Sequence, residues 1–350
     1  MQRKKLHLQL KSGNLHTRAE KHNTMKFKEA ITTTLMLAVL TATTLLLSSN
    51  DHQDTIQDDD KKVPGNGYTC SPEVPASITF AGEKIDLTAQ DRRERLDREI
   101  LAFTYSHTNT LLIIKRANRL FPIIEPILKE YGVPDDFKYL MIIESNGDFE
   151  ARSPAGAAGL WQFMESTGRE FDLEVNKEID ERYHIVKATR AACRYLKLGY
   201  KRFGDWITVA ASYNAGFGNI SKRKSSQQQD KAIDMVLPAE TSRYIFRLMA
   251  VKQVMSEPQK YGFSLRSSDL YPVIPVAKEI AIDSTEVNWV DFAKENEITY
   301  LQLREANHWI RSTTLKNKNG KSYKVAIPDI NAIHYDPKKT KAHNPNWVVE

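Results

Sequence analysis

The sequence predicts a mainly α-helical protein that ends in a small α+β unit. From about residue 90 to residue 261, apolar residues recur at helical spacing, and stop signals such as Gly132, Pro134 and Gly216 end the predicted helices. After a loop-rich stretch at residues 256–272, short segments follow in the order strand, helix, helix, strand. With 350 residues, 41% of them hydrophobic, the chain can bury one large core or two modest ones.

The N-terminal 50 residues hold the positive charge of the chain and an apolar run. The net charge is +6, but residues 1–28 alone carry eight Lys or Arg and one Glu, so the rest is close to neutral. Nucleic-acid binding, which requires a basic face on the folded part, is therefore not expected. The uncharged run from residue 30 to residue 50 behind this basic flank predicts a signal peptide or membrane anchor in residues 1–50, with Met25 an alternative start. A buried core helix is the alternative. We expect an exported protein, periplasmic or anchored in the membrane and facing the periplasm.

A polar, low-hydrophobicity segment, residues 51–77, predicts a disordered linker, and its acidic run at residues 58–60 is typical of a solvated linker rather than a metal site.

The two cysteines, Cys70 and Cys193, are able to pair in an oxidising compartment. Cys193 lies in a helical stretch and is more simply explained as a small core residue. No Cys follows the apolar run at lipoprotein distance, so acylation is not expected.

The folded part divides into a helical domain, residues 78–262, and a C-terminal module with a tail, residues 263–350. The first domain opens with residues 78–87, which alternate around a glycine like a short hairpin, and continues with a charged helix at residues 90–103. In the second, "EIAID" and "KSYKVAIP" predict strands, and "NWVDFAKENEI" and "YLQLREANHW" predict the two helices between them. This is a βααβ unit.

A carboxylate lies on the apolar face of one predicted helix. Phe137, Leu140, Met141 and Glu144 are spaced i, i+3, i+4 and i+7, so they share one face. Burial there would raise the pKa of Glu144 and keep it able to donate a proton near neutral pH. The Ser-Asn-Gly sequence at residues 145–147 ends the helix, which leaves the carboxyl beside a loop. A glutamate exposed at a helix end is the alternative that periodicity leaves open.

A stretch of small residues, residues 151–160, follows this helix end. Small residues let a ligand approach the backbone closely, and Gln162 offers a donor and an acceptor to sugar amides and hydroxyls. Trp161 offers a stacking face, or else fills the core of a tight helix connection. Tyr213 and Asn214 lie at the C-terminal end of a later helix, where they are suited either to contact a glycan or to cap the helix.

Four short motifs occur in the order "ES" (Glu144–Ser145), "GLWQ" (Gly159–Gln162), "YNAG" (Tyr213–Gly216) and "ETSRY" (Glu240–Tyr244). Through these motifs and their order, the chain resembles the lytic transglycosylases with a lysozyme-like domain. The longer stretches "GLWQFM", "IDERYH" and "LPAETSRY" resemble the membrane-bound murein type D of the family. The resemblance covers about residues 78–259. It departs from the usual pattern at Ser212, where the family has Ala, and in lacking the lipoprotein Cys of some members.

The resemblance implies a lysozyme-like fold and an activity on peptidoglycan. Members cleave the β-1,4 bond between N-acetylmuramic acid and N-acetylglucosamine without water and form 1,6-anhydro-muropeptides. Glu144 matches the catalytic acid, which then acts as the base, and Tyr244 matches the tyrosine that orients it. No metal or cofactor is implied, and the partner is the glycan strand. The residues implied to hold the glycan are Gln162, Tyr213 and Asn214, with Ser145 in support.

The C-terminal unit resembles LysM-type glycan-binding modules through residues 290–309 and 323–328. The usual glycine and threonine near the first helix are replaced here by "DSTEVNW". A structural cap without affinity for sugars is therefore an equal alternative.

Two other functions remain open. A lysozyme-type hydrolase on the same fold needs a base that activates water, for which Asp148, Glu150 and Glu240 are candidates. A non-catalytic scaffold that binds the cell wall is the other alternative, but it has no need to retain Glu144 together with Tyr244.

Overall fold

A computed structural model describes residues 69–349 of the chain. The predicted signal peptide or anchor in residues 1–50, and residues 51–68 of the predicted linker, lie outside the described residues. Among the helices of residues 69–349, none combines the length and the apolar character that crossing a membrane requires.

The described part of the chain is mainly helical, which confirms the predicted fold class. Eight helices precede the C-terminal module: Gln90–Tyr105 (α1), His107–Glu130 (α2), Lys138–Ser145 (α3), Glu165–Glu170 (α4), Ile185–Phe203 (α5), Trp206–Ala215 (α6), Phe217–Gln227 (α7) and Ala239–Ser256 (α8). All of them except α4 contribute residues to one hydrophobic core.

A short antiparallel hairpin precedes the helices, as the sequence predicts. Strands Ser77–Phe80 (β1) and Glu83–Asp86 (β2) are joined by Ala81 and Gly82, whose φ angles are 51° and 85°. Two successive positive φ angles are the geometry of a type I′ turn, which matches the twist of a tight hairpin. Phe80 is fully buried, so the hairpin closes one side of the helical core. Val74, within the predicted linker, is also buried there.

Helix α8 runs through the middle of the helical domain. Ten of its 18 residues are buried, and it packs against α1, α3 and α6. A helix with apolar neighbours on most sides is apolar over most of its surface. Polar side chains that α8 carries inward, such as Tyr244, are therefore held in a largely apolar environment.

Both described cysteines are free thiols. Cys193 on α5 is fully buried, whereas Cys70 is exposed, so the disulfide considered from the sequence is not formed. Burial raises the pKa of the Cys193 thiol to about 12. Cys193 is therefore a small core residue, as its helical surroundings indicate.

The C-terminal module has the predicted strand-helix-helix-strand order and one further strand pair. Its strands are Val276–Ile282 (β3), Glu286–Asn288 (β4), Thr314–Lys316 (β5) and Tyr323–Pro328 (β6), and its helices are Trp289–Glu295 (α9) and Tyr300–Ala306 (α10). β3 pairs with β6 and β4 pairs with β5, both antiparallel. The β4–β5 pair was not predicted, because three-residue strands with one buried residue each show no alternation.

The module has its own core, and one residue of the helical domain completes it. Ile179, between α4 and α5, is fully buried in the cluster that contains Trp289, Leu303 and Val325. A backbone bridge joins Ile179 to Ile310 of the module. The two parts are therefore joined by main-chain hydrogen bonds as well as by packing.

The tail after the module returns to the helical core. Trp347 is 1% exposed, and its indole Nε1 donates to the Met255 carbonyl oxygen at 2.8 Å. Its ring centroid lies 5.7 Å from that of Phe121 on α2. Phe263 and Leu265, which follow the predicted domain boundary, also belong to the core of the helical domain. The boundary between residues 262 and 263 stays a prediction.

We expect Trp347→Ala to lower the free energy of unfolding by about 3 to 5 kcal/mol, because it removes a fully buried aromatic ring and leaves a cavity. Urea denaturation followed by circular dichroism measures this change. Leu301→Ala is the control: Leu301 is 68% exposed, and its truncation is expected to change stability by less than about 0.5 kcal/mol. Equal losses in the two variants would contradict the tail as a part of the core.

Candidate active site

Helix α3 places Glu144 at the edge of the helical core. Phe137, Leu140 and Met141 are fully buried, so the stripe predicted from their spacing faces inward. The helix ends after Ser145, where Asn146 adopts a left-handed conformation with φ 53°. Glu144 lies in the last turn of α3, where the negative end of the helix dipole disfavours a carboxylate.

Tyr244 on α8 contacts this carboxyl directly. Its hydroxyl donates a hydrogen bond of 2.5 Å to Glu144 Oε1, across 100 residues of sequence. Tyr244 is itself buried, and burial together with the Glu144 charge keeps the pKa of its hydroxyl well above the usual value. Tyr244 therefore remains a hydrogen-bond donor at every physiological pH.

Burial raises the pKa of Glu144 from 4.5 to about 7. The hydrogen bond from Tyr244 and the charge of Arg247 oppose this shift, while Glu240 adds to it. Near neutral pH both the acid and the carboxylate of Glu144 are populated. Such a group is able to give a proton to one atom and to take one from another.

The loop of small residues, here called the glycine loop (residues 151–163), folds tightly on itself. Gln162 has φ 47°, and its Nε2 donates to the carbonyl oxygens of Gly159 at 2.8 Å and of Ala151 at 3.1 Å. The Gln162 amide thus closes the loop. Trp161 is fully buried, and its Nε1 donates to Thr189 Oγ1, so Trp161 is a core residue rather than a stacking face.

Tyr213 and Asn214 lie at the end of α6, each with a partner in the protein. The Tyr213 hydroxyl donates to the Trp161 carbonyl oxygen at 2.7 Å. Its pKa is raised well above the usual value by burial and by the charge of Glu144. Asn214 Oδ1 accepts a hydrogen bond from Thr241 Oγ1 at 2.8 Å. These bonds tie the end of α6 to the glycine loop and to the start of α8.

Ser145 is buried, and its hydroxyl donates to the Met141 carbonyl oxygen at 3.1 Å, one turn back in α3. A serine hydroxyl bound to the carbonyl oxygen four residues back competes with the helical backbone hydrogen bond. Ser145 therefore contributes to the end of α3 beside Glu144.

The three carboxylates considered as bases differ in position. Asp148 pairs with Arg116 at 3.2 Å, and Glu150 lies 3.7 Å from Arg311. Glu240 raises the pKa of Glu144 and accepts a 3.4 Å hydrogen bond from Asn214 Nδ2. Of the three, Glu240 has the most direct electrostatic effect on Glu144.

Sequence reasoning missed Arg247. Its positive charge lowers the pKa of both Glu144 and Tyr244, and its guanidinium carbon lies 5.7 Å from the centre of the Phe103 ring. Glu240, Tyr244 and Arg247 are spaced i, i+4 and i+7, so they share one face of α8. This spacing in the sequence would have indicated that Arg247 lies on the same side of the helix as Tyr244.

Two regions of the chain match known domain families. Residues 121–236 match the transglycosylase SLT domain. The matched range contains Glu144, Gln162 and Tyr213, and Tyr244 follows it. Residues 278–331 match the soluble lytic transglycosylase C-terminal LysM-like domain. The resemblance inferred from the four motifs is thereby confirmed.

The chain is similar to named lytic transglycosylases. It is 32% identical over 198 residues to membrane-bound lytic murein transglycosylase D of Escherichia coli K12, which covers 54% of this chain and 43% of that protein. The same values hold for the protein of that name in E. coli O6:H1. The chain thus spans less than half the length of these relatives. The crystal structure of the 70 kDa soluble lytic transglycosylase of E. coli covers 49% of this chain and 32% of its own, with 19% identity and a TM-score of 0.33.

Within residues 69–349, no group of three or more His, Cys, Asp or Glu side chains is arranged to hold a metal ion.

The raised pKa of Glu144 predicts a pH-dependent effect on stability. Between about pH 4.5 and pH 7 the folded chain binds more protons at Glu144 than the unfolded chain does, so this residue lowers the free energy of unfolding as the pH rises. Glu144→Gln removes this loss. We therefore expect the free energy of unfolding of the variant, relative to that of the wild type, to be about 1 to 3 kcal/mol higher at pH 8 than at pH 4. Urea denaturation at both pH values measures the gain, and identical pH profiles for the two proteins would exclude a raised pKa.

Proposed function

We propose that this protein cleaves peptidoglycan as a lytic transglycosylase and forms 1,6-anhydro-muropeptides. The observation that supports it most is the half-buried carboxyl of Glu144, in the region that matches an SLT domain, with a pKa of about 7 and a hydrogen bond from Tyr244. The relatives at 32% identity are named lytic murein transglycosylases.

The first step uses Glu144 as the acid. Its proton passes to the glycosidic oxygen between N-acetylmuramic acid and N-acetylglucosamine as the bond from that oxygen to C1 breaks. The carbonyl oxygen of the muramic 2-acetamido group attacks C1 from within the sugar and gives a bicyclic cation. The leaving glycan departs with a free hydroxyl, and Glu144 is left as a carboxylate.

The second step uses the same group as the base. The 6-hydroxyl of the muramic sugar attacks C1, the bond from the acetamido oxygen breaks, and the Glu144 carboxylate takes the hydroxyl proton. The 1,6-anhydro ring closes, and Glu144 regains its starting form without consuming water. A pKa near 7 suits both steps, because neither protonation state is strongly disfavoured.

Tyr244 acts by orienting the carboxyl in this proposal. Its hydroxyl holds one oxygen of Glu144, and the other oxygen is available to the glycan. We assign glycan contacts to Gln162, Tyr213 and Asn214. Ser145 supports the end of α3 on which Glu144 is carried.

A hydrolase is the second candidate because Glu240 interacts electrostatically with Glu144. If Glu240 activated a water molecule, the products would retain a free reducing end and would be heavier by one water. A scaffold that only binds the wall would bind sacculi and release nothing.

Peptidoglycan as the substrate implies action in the cell envelope. The E. coli relative, lytic murein transglycosylase D, is named as membrane-bound. Residues 1–50 of this chain have the pattern of a signal peptide or anchor. We propose that residues 78–262 carry the reaction and that the LysM-like module and tail, residues 263–350, provide a second contact with the glycan.

Glu144→Gln is expected to reduce the release of soluble muropeptides from sacculi by about 100-fold or more, since it removes the group to which the proposal assigns both the acid and the base role. Mass spectrometry of the soluble products measures the loss. Glu170→Gln, with the same chemical change at an exposed position of α4, is the control and is expected to retain activity. Substantial release by purified, folded Glu144→Gln protein would reject the assignment.

The product mass separates the two enzymatic candidates. We expect the products of the wild-type protein to be lighter by one water than those of a lysozyme digest of the same sacculi, because the anhydro ring replaces a free reducing end. Products of equal mass, together with loss of activity in Glu240→Gln, would favour the hydrolase.

A further inference from the structure

The "IDERYH" stretch is conspicuous in the sequence, yet the proposed mechanism assigns it no role. In the structure it belongs to a segment that we call the seam segment, residues 174–184. The seam segment runs between α4 and α5 and lies between the glycine loop and the C-terminal module. Its two sides make different sets of contacts.

One side of the seam segment is held by the C-terminal module. The Asp180 amide donates to the Trp309 carbonyl oxygen at 2.9 Å, and the Arg311 amide donates to the Glu178 carbonyl oxygen at 2.7 Å. The Tyr323 hydroxyl lies 3.0 Å from Glu174 Oε2. Main-chain bonds of this kind fix both the position and the direction of the seam segment.

The other side of the seam segment holds the glycine loop through Arg182. This side chain is 5% exposed, and its Nε and Nη2 donate to the two carboxylate oxygens of Asp180 at 2.9 and 2.8 Å. Its Nη1 donates to the carbonyl oxygens of Gly156 at 2.9 Å and Phe163 at 3.1 Å. One guanidinium thus joins Gly156, in the middle of the glycine loop, to Phe163 at its end.

Gly159 shows how closely the loop lies against the seam segment. A Cβ at this position would lie 2.0 Å from the Arg182 carbonyl oxygen, and the φ angle of 74° is one that side chains rarely adopt. The backbone of the loop is therefore pressed against the backbone of residue 182, and only glycine fits.

The loop in turn contacts the site. The Trp161 carbonyl oxygen accepts the hydrogen bond from Tyr213, whose hydroxyl interacts electrostatically with Glu144. Gln162, the next residue, is assigned to the glycan. A shift of the loop would therefore move both a glycan contact and a neighbour of the acid.

We infer that Arg182 is a positioning residue for the reaction: it holds the glycine loop in the conformation that the glycan requires, and the C-terminal module supports it through the seam segment. This inference rests on the proposed function. Lysine is not an adequate replacement, because its single nitrogen cannot span a carboxylate and two carbonyl oxygens as the planar guanidinium does.

The test compares Arg182→Lys with a matched control in the full chain. Arg92→Lys is the control, since Arg92 also joins a carboxylate, Asp234, to a backbone carbonyl oxygen, that of Asp86, and both lie outside the loop. Three quantities are measured: the hydrogen-exchange rates of the loop amides, and kcat and KM for cleavage of soluble glycan strands.

In Arg182→Lys we expect loop amides such as those of Gly159 and Gln162 to exchange about tenfold faster or more, and KM to rise by about tenfold with a smaller change in kcat. The control is expected to change each quantity by less than about twofold. Equal effects in the two variants, or a fall in kcat alone, would overturn the inference. If the wild-type protein cleaves no glycan, the proposed function fails, and the exchange data still decide whether Arg182 orders the loop.

A second variant covers the case in which Arg182→Lys does not fold. Tyr323→Phe removes the bond to Glu174 on the module side and leaves Arg182 in place. We expect faster exchange in the glycine loop in the same direction as for Arg182→Lys but by a smaller factor. Unchanged loop exchange in this variant would show that the module does not support the loop.

Discussion

The partial burial of the Glu144 carboxyl is the constraint on which the rest of the site depends. Glu144 loses water by lying on the inward face of α3, and a charge without partners there would be costly. Tyr244 offsets part of this cost with a hydrogen bond, and it is able to do so because α8 passes through the middle of the domain. The site therefore depends on the packing of α3 against α8.

The polar groups around this carboxyl mostly have hydrogen-bond partners within the protein. Tyr213 binds the backbone of the glycine loop, Asn214 binds Thr241, and Gln162 closes its own loop. Such a network keeps the site in one arrangement before any glycan arrives, because each partner is costly to leave unpaired. Binding then orders few further groups, and less of the binding energy is lost to conformational entropy.

The helices, the hairpin and the position of Glu144 were predictable because each depends on local periodicity or turn chemistry. The spacing from Phe137 to Glu144 is visible in eight residues, and its inward direction is confirmed. The burial of Trp161, the internal bonds of Gln162 and the place of Arg247 were not predictable, since each depends on a partner far away in the sequence. The resemblance to a family identified Gln162 and Tyr213 as candidate glycan contacts. It did not show that the same side chains also hold the glycine loop together.

The position of Trp347 also bears on how the chain folds. This residue fills the helical core next to Phe121, although the whole C-terminal module lies between them in sequence. The helical domain cannot complete its core during synthesis until the module and the tail have emerged. Contacts of such long sequence separation slow folding, because the loop between them must be closed first. A chain that is still being synthesised is thus kept from reaching its final core before the tail has emerged.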